Sequence, residues 1–371
     1  MTYFLKKHYP LIFFFILLAV IFLFSLTIRT QKLVYWEKEN TNYVACGYPA
    51  MTTLDAYYWL RYAKEYDKGI YNGGSLDKLR FYPDYKKKPK IIPMLSFILA
   101  KASAFFDNNY YYAGLYLIPF LASLFVIPLG LYFYIIKKPL AGLIGATIAT
   151  ASYMYIARTT IGRVDTDALN LFFPITASLF LLLIYLNNKK VYIYLNTLLL
   201  ALTLLLFNWW YSHPGFTIVY FAFLILVLLI KKSNLKIFII SSIILFIFSN
   251  PIFFIEGIYN LLHFTTNYII GKPDSSGINM PNILSTITEA QKRPINMTMS
   301  AILSNNYINF IGLLSFIIIS LFFYKKIIPI IPLFLLGIIS FKSSIRFVMF
   351  LAPFVGIGYG LLIHFIIEKF K

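Results

Sequence analysis

The sequence predicts an all-α bundle that crosses a membrane many times and carries two long external loops, and three observations predict it. Of the 371 residues, 60% are hydrophobic and only 13% are charged, which lies far from a water-soluble domain. The apolar residues gather into runs of the length that hydrocarbon demands. Lysine pairs punctuate alternate gaps between those runs, as the positive-inside rule requires.

The first run, 10–27, follows Lys6, Lys7 and His8. It is longer than the apolar core of a typical signal peptide and lacks a small-residue cleavage site, so it reads as an uncleaved anchor entering from the cytoplasm. An external loop, 29–114, comes next. Within it, residues 92–106 (IPMLSFILAKASAFF) are apolar but too few for a span, which predicts a surface-lying or re-entrant helix. Further runs fall near 115–136, 139–157, 169–187, 191–210, 215–231, 236–255, 307–324, 327–341 and 346–366. With the first, they make about ten spans, several of them short. The second external segment, 256–306, is rich in Asn, Ser, Thr, Gly and Pro and reads as a functional loop rather than a linker. Lys371 follows the last run closely, so a single transmembrane domain over 1–371 is expected, with no C-terminal soluble domain.

Charge tests this alternation independently. Lys137 and Lys138, Lys189 and Lys190, Lys231 and Lys232, Lys325 and Lys326, and Lys369 and Lys371 all fall on the side of the N-terminus. Of the 14 Asp and Glu, every one except Glu368 falls on the other side. The basic run from Lys86 to Lys90 lies outside, but long loops escape the rule. A cytoplasmic N-terminus in an inner membrane, with chemistry on the external face, is the expected arrangement. The net charge of +19 then reports topology and contact with the lipid bilayer, and no nucleic-acid partner is needed. The single cysteine, Cys46, forms no internal disulfide, and His8, His213, His263 and His364 lack the paired spacing of a zinc site.

Acidic residues in separate external segments are the candidates for chemistry: Asp55, the pair Asp165 and Asp167, and Glu289. Carboxylates gathered from distant segments suit a hard divalent cation, Mg²⁺ or Mn²⁺, and an Asp-x-Asp pair commonly serves where a diphosphate is held. Arg158, Arg163 and Arg346 are suited to phosphate oxygens, which guanidinium meets bidentately. Taken singly, each has a structural explanation: a cap or turn for the Asp pair, a capping box for Thr286 to Glu289, a snorkelling anchor for Arg346, and an N-cap for Asp55. Together, on one face and in this order, they point to a site.

The combination resembles the catalytic subunit of oligosaccharyltransferases, the family of the eukaryotic subunit and the single-subunit bacterial (PglB-type) and archaeal enzymes. Its marks are Asp55 with Tyr57 and Tyr58; Arg158, Thr159, Gly162, Asp165 and Asp167 in an R-T-x-x-G-x-x-D-x-D block; Thr286, Ile287, Thr288 and Glu289 in a T-I-x-E block; and Arg346 with Phe347 opening the last helix. The resemblance spans most of the chain and implies a GT-C-like bundle of about 10 to 13 transmembrane helices. It implies Asp55, Asp165 and Glu289 as metal ligands, supported by Asp167 and Arg158. Asp55 and Glu289 would also hold and activate the acceptor amide, and Arg346 and Thr288 would contact substrate, Arg346 through the lipid-linked pyrophosphate. The implied reaction moves a preassembled oligosaccharide from a polyprenyl-pyrophosphate carrier to an Asn side chain of an acceptor protein or peptide.

The sequence departs from the family in lacking its C-terminal W-W-D motif. Trp209, Trp210 and Tyr211 end a span and read as interfacial aromatic anchors instead. Two expectations follow: a minimal transferase with relaxed or partner-supplied acceptor recognition, such as a separate subunit, or the membrane half of a longer or split enzyme. The alternative functions are a polyprenyl-phosphate-dependent glycosyltransferase acting on a lipid, glycan or hydroxyl acceptor, and a transporter or flippase whose acids relay protons. The first lacks a reason for three carboxylates, and the second predicts charges within spans that the sequence does not show.

Overall fold

The computed structural model describes residues 2–38, 44–45, 47–264 and 291–370, and these are mostly helical with almost no sheet. In chain order the helices are α1 (Thr2–Thr30), α2 (Lys32–Lys38), α3 (Leu54–Asp67), α4 (Met94–Ala102), α5 (Tyr110–Ser123), α6 (Val126–Ile135), α7 (Pro139–Ala151), α8 (Tyr153–Thr159) and α9 (Phe172–Leu186). There follow α10 (Lys190–Trp210), α11 (Pro214–Ile230), α12 (Leu235–Phe248), α13 (Ile252–Phe264), α14 (Ile295–Ser300), α15 (Asn306–Ser320), α16 (Tyr324–Ile327), α17 (Ile331–Ile338) and α18 (Val348–Lys369). Two small antiparallel pairs, β1 (Val44–Ala45) with β2 (Tyr48–Pro49) and β3 (Leu76–Asp77) with β4 (Lys86–Lys87), decorate the first loop.

Local chemistry starts several of these helices. The side chains of Asn109, Asn234 and Asn305 accept backbone N–H groups at the heads of α5, α12 and α15, satisfying donors that a helix start otherwise leaves open. Among the described residues, six helices are long and apolar enough to cross a membrane, or up to eight if each bent pair is one span. One of the six, Asn306–Phe341, is a hairpin rather than a rod. Its Phe316 and Phe334 rings lie 5.0 Å apart, whereas a continuous helix would separate them by roughly 27 Å. The first arm follows α18 in parallel, with Phe322 against Phe365, and the second returns antiparallel, with Gly337 against Leu351. Each apolar run of the sequence therefore has a helix or helix pair. The run at 236–255 turns by 88° between α12 and α13, and the one at 139–157 by 62° between α7 and α8.

Within residues 92–106, α4 and a 3-10 turn form a short apolar helix with Leu95 and Leu99 buried against the rest of the bundle, and at this length it is too short for a span. The centre of the bundle is α18, which packs on α7 and α15 through small residues. A Cβ at Gly356 or Gly360 would run into the backbone of α7, and one at Gly358 would overlap the Gly312 carbonyl of α15. Close approach of backbones is how apolar helices gain contact where hydrophobicity cannot drive them together.

The two ends of the bundle differ as the charge pattern predicts. At one end Phe14 stacks near Tyr134 (4.5 Å), Lys138 pairs with Glu368 at 3.0 Å, and Tyr132 donates to the Lys326 carbonyl at 2.7 Å. The start of α1 and three of the lysine clusters therefore share that end. The described candidate residues sit at the other.

Candidate functional site

The site is assembled on the segment between α8 and α9. Arg158 lies in the last turn of α8, Gly162 turns the chain with a positive φ of 79°, and Asp165 caps the 3-10 turn Thr166–Leu169 by accepting the Thr166 N–H at 2.7 Å. Short polar side chains cap such turns readily, so the second aspartate is left to point elsewhere. Asp167 is buried, and both of its oxygens are engaged. Arg158 Nε donates to Oδ2, while Asn170 Nδ2 donates to Oδ1 at 2.8 Å and Arg346 Nη2 approaches Oδ1 at 3.7 Å. The pair with Arg346 joins the Asp block to the head of the last helix.

Asp165 is placed differently. One oxygen takes the cap hydrogen bond, and the other stands 4.0 Å from Arg158 Nη2. Burial, reinforced by the negative charge of Asp167, pushes its carboxyl up to about 6, against the pull of its cap and the neighbouring arginines. An oxygen whose anionic form is this poorly compensated is suited to a cation, whereas Asp167 has none to spare. The hard oxygen donors at Asp165, with Arg158 behind them, therefore fit a divalent metal.

The other candidates lie around this core. Asp55 is exposed in the first turn of α3, and the preceding segment is tied to the block by the Thr52 N–H donating to the Gly162 carbonyl at 3.0 Å. Thr288 and Glu289 lie outside the described residues. Gln291, close along the sequence, accepts the Ile345 N–H at 3.2 Å, beside Arg346. The structure thus brings Asp165, Asp167, Arg158 and Arg346 together and attaches the Asp55 segment to them. Among the described residues, no three His, Cys, Asp or Glu side chains gather closely enough to hold an ion.

A cavity of about 570 Å³ opens beside Arg346. Asn170, His213 and Arg346 supply polar groups, and Phe216, Leu336 and Phe350 are among its apolar walls. The Arg346 side chain is 38% exposed, so a guanidinium edge remains available to a ligand there. His213 packs its ring among Phe207, Tyr211 and Phe216. Desolvation, with Arg346 adding repulsion, holds it at about 4, so it is neutral near pH 7.

Sequence reasoning missed three residues here. His213 carries no zinc-type spacing, and Asn170 lies three residues past the block, where only the fold turns its amide onto Asp167. Arg29, expected at the start of the external loop just past the run 10–27, lies inside α1 instead, because that helix continues to Thr30; charge within a spanning helix is rarely idle. The aromatic cluster needs a correction too. Trp209 donates to the Ile92 carbonyl at 2.9 Å, and Trp210 is fully buried, donating to the Thr166 carbonyl at 2.6 Å. Trp210 is a buried brace under the Asp-x-Asp turn, not a lipid-facing anchor, because its N–H finds a carbonyl inside the bundle. The triplet Asn296, Met297 and Thr298, which has the form of a glycosylation acceptor, lies in α14 with the Thr298 side chain buried.

Comparison with known proteins places this geometry. The family model for the N-terminal part of oligosaccharyl transferase STT3 matches residues 12–371. The undecaprenyl-diphosphooligosaccharide–protein glycotransferases of two Campylobacter jejuni strains are each 23% identical, over 99% of this chain and 55% of theirs. Among solved structures, the archaeal oligosaccharyltransferase AglB of Archaeoglobus fulgidus, in complex with an inhibitory peptide and a dolichol-phosphate, superposes with a TM-score of 0.68 at 14% identity, covering 98% of this chain and 51% of that one. An Archaeoglobus fulgidus oligosaccharyltransferase tethered to an acceptor peptide containing the NVT sequon gives 0.61 at 14% identity, covering 98% and 50%. The chain spans about half the length of the relatives it matches.

Proposed function

The chain belongs to the oligosaccharyl transferase STT3 family, and from that premise we propose that it transfers an oligosaccharide from a polyprenyl-pyrophosphate carrier to the side-chain amide of an acceptor asparagine. The observation that carries the reading is the meeting of Arg346 with the Asp-x-Asp block at the mouth of an apolar-walled cavity. An anionic head on a greasy tail calls for that combination.

In this reading Arg158 and Asn170 fix the Asp167 carboxylate, and Asp167 holds Arg158 and Arg346 in place. Arg346 presents its exposed edge to the pyrophosphate, and Phe216, Leu336 and Phe350 shelter the first part of the tail. Asp55 and Glu289 accept the N–H hydrogens of the acceptor amide, which localises the nitrogen lone pair that resonance otherwise spreads over the carbonyl. The nitrogen then bonds to the anomeric carbon as the bond to the pyrophosphate oxygen breaks, with inversion. One amide proton leaves to a carboxylate, and the electron pair leaves with the pyrophosphate. Mg²⁺ or Mn²⁺ held by Asp55, Asp165 and Glu289 would neutralise the departing charge. We place the site on the external face of an inner membrane, with the N-terminus cytoplasmic, on the strength of the lysine pattern.

The test incubates purified protein in detergent with lipid-pyrophosphate glycan, Mn²⁺ and fluorescent Asn-x-Thr peptide, with and without chelator. Glycopeptide formed by the wild type, abolished by chelator and by Asp55→Ala or Glu289→Ala, is the expected result. Glycan appearing on lipid or a hydroxyl acceptor instead, with the peptide unmodified, overturns the reading. A parallel Asn-x-Ala peptide asks whether this chain reads the acceptor hydroxyl itself or leaves that to a separate subunit.

A further inference from the structure

We infer that Arg29, near the end of α1, is a positioning residue that sets the Asp-x-Asp block; the inference rests on the reading above for what the block binds. Arg29 is fully buried, although it belongs to a helix long and apolar enough to cross a membrane. Its Nε donates to Thr159 Oγ1 at 2.9 Å, and its Nη1 donates to the Ser25 carbonyl and hydroxyl at 3.0 and 2.8 Å. Its own carbonyl accepts the Ile161 N–H at 3.0 Å and the Thr160 hydroxyl at 3.1 Å. One residue therefore fastens Thr159, Thr160 and Ile161, the three that directly follow Arg158.

The face of the guanidinium is used as well. It lies 4.7 Å from the centre of the Tyr155 ring, and the Tyr155 hydroxyl donates to the Ala122 and Ala168 carbonyls at 2.9 and 3.1 Å. Ala168 follows Asp167. The contacts thus reach both arms of the block, Arg158 to Ile161 on one side and Thr166 to Ala168 on the other. Between them lie Gly162, whose carbonyl receives the Thr52 N–H from the Asp55 segment, and Asp165.

Packing alone does not account for an arginine here. A buried guanidinium is costly without an acid, and Arg29 has no ion pair among the described residues, where its Nη2 also lacks a hydrogen-bond partner. A leucine would fill this position of α1 without that cost. What only arginine supplies is a planar fork that bonds Ser25 and Thr159 at once while its face rests on an aromatic ring.

Arg29 touches no reacting group, so the test must separate positioning from bulk stability. Mn²⁺ alone is titrated into detergent-solubilised wild type, Arg29→Met, Thr159→Val and the double variant, with free ion followed by electron paramagnetic resonance. Leu18→Ala, which opens a cavity in the same helix, is the stability control. Loss of an outer support around metal ligands weakens binding by about 10–100-fold, and that is expected for Arg29→Met and Thr159→Val, with the double variant no worse than Arg29→Met. Leu18→Ala should lower the melting temperature with Mn²⁺ affinity unchanged. Hydrogen exchange of residues 159–168 supplies a metal-free readout: faster exchange confined to that segment in both Arg29→Met and Thr159→Val is expected. Wild-type exchange there, together with wild-type Mn²⁺ affinity at a lowered melting temperature, overturns the inference. Local loss of protection in a protein whose wild type binds no Mn²⁺ would overturn the metal reading while upholding the role of Arg29. Thr159→Val carries the test should Arg29→Met fail to fold.

Discussion

At the scale of single residues, the two aspartates of one motif separate by their partners. Asp167 has a charged or polar neighbour at each oxygen, whereas Asp165 keeps one oxygen short of compensation. Asp167→Ala would remove the carboxylate that Arg158 Nε meets in the interior, and removing one partner of a buried ion pair costs about 3–5 kcal/mol. The lower end applies because Asp165 lies 4.0 Å from the same guanidinium. A clear drop in the detergent melting temperature is expected, and an unchanged one would mean that the pair contributes nothing. In the first external loop, Asp77 receives Arg61 Nη1 at 3.0 Å and the Tyr62 hydroxyl at 2.8 Å. Burial raises its carboxyl, but these hydrogen bonds prevail and hold it at about 2. A depressed acid contributes stability that is complete above the ordinary carboxylate range and fades as pH falls through the folded value. The loop should therefore resist proteolysis from neutrality to about pH 4 and open as the medium approaches pH 2; opening that begins near pH 6 would assign the control to another group.

At the scale of elements, shape outweighs hydropathy. The sequence 346–366 reads as one more apolar span, yet Gly356 and Gly360 face α7 while Gly358 faces α15. Gly358→Ala would set a methyl group against the Gly312 carbonyl, and overpacking of this kind costs about 1–3 kcal/mol. Thermal unfolding in detergent checks it, and a variant as stable as the wild type would show that α15 can slide away. The brace from Trp210 to Thr166 belongs to the same scale. It could not be inferred from an aromatic pair at the end of a run, because an interfacial and a buried Trp have the same sequence context.

At the scale of the whole molecule, the charge pattern and the packing agree on two unlike ends. In a Cys46→Ser background, single cysteines at Leu79→Cys and Lys326→Cys should react with an impermeant thiol reagent from opposite sides of a sealed vesicle. Labelling of both from one side would break the topology and remove the membrane argument for the site. The spans were legible in the sequence because hydrocarbon length and lysine placement are local, additive properties of the chain. The candidate residues could be named from the order of their motifs, Asp55 before Arg158, Asp165 and Asp167, and Arg346 last. Their division of labour could not, for it depends on which oxygen meets which guanidinium across segments far apart in the chain. By itself the sequence determined a helical chain with many membrane-length apolar runs, and predicted its candidate acids on one face. Only tertiary structure decided that Arg346 meets Asp167 and that a buried Arg29 grips the loop that follows Arg158, since hydrogen bonds and ion pairs act over a few ångströms and folding alone brings such groups together.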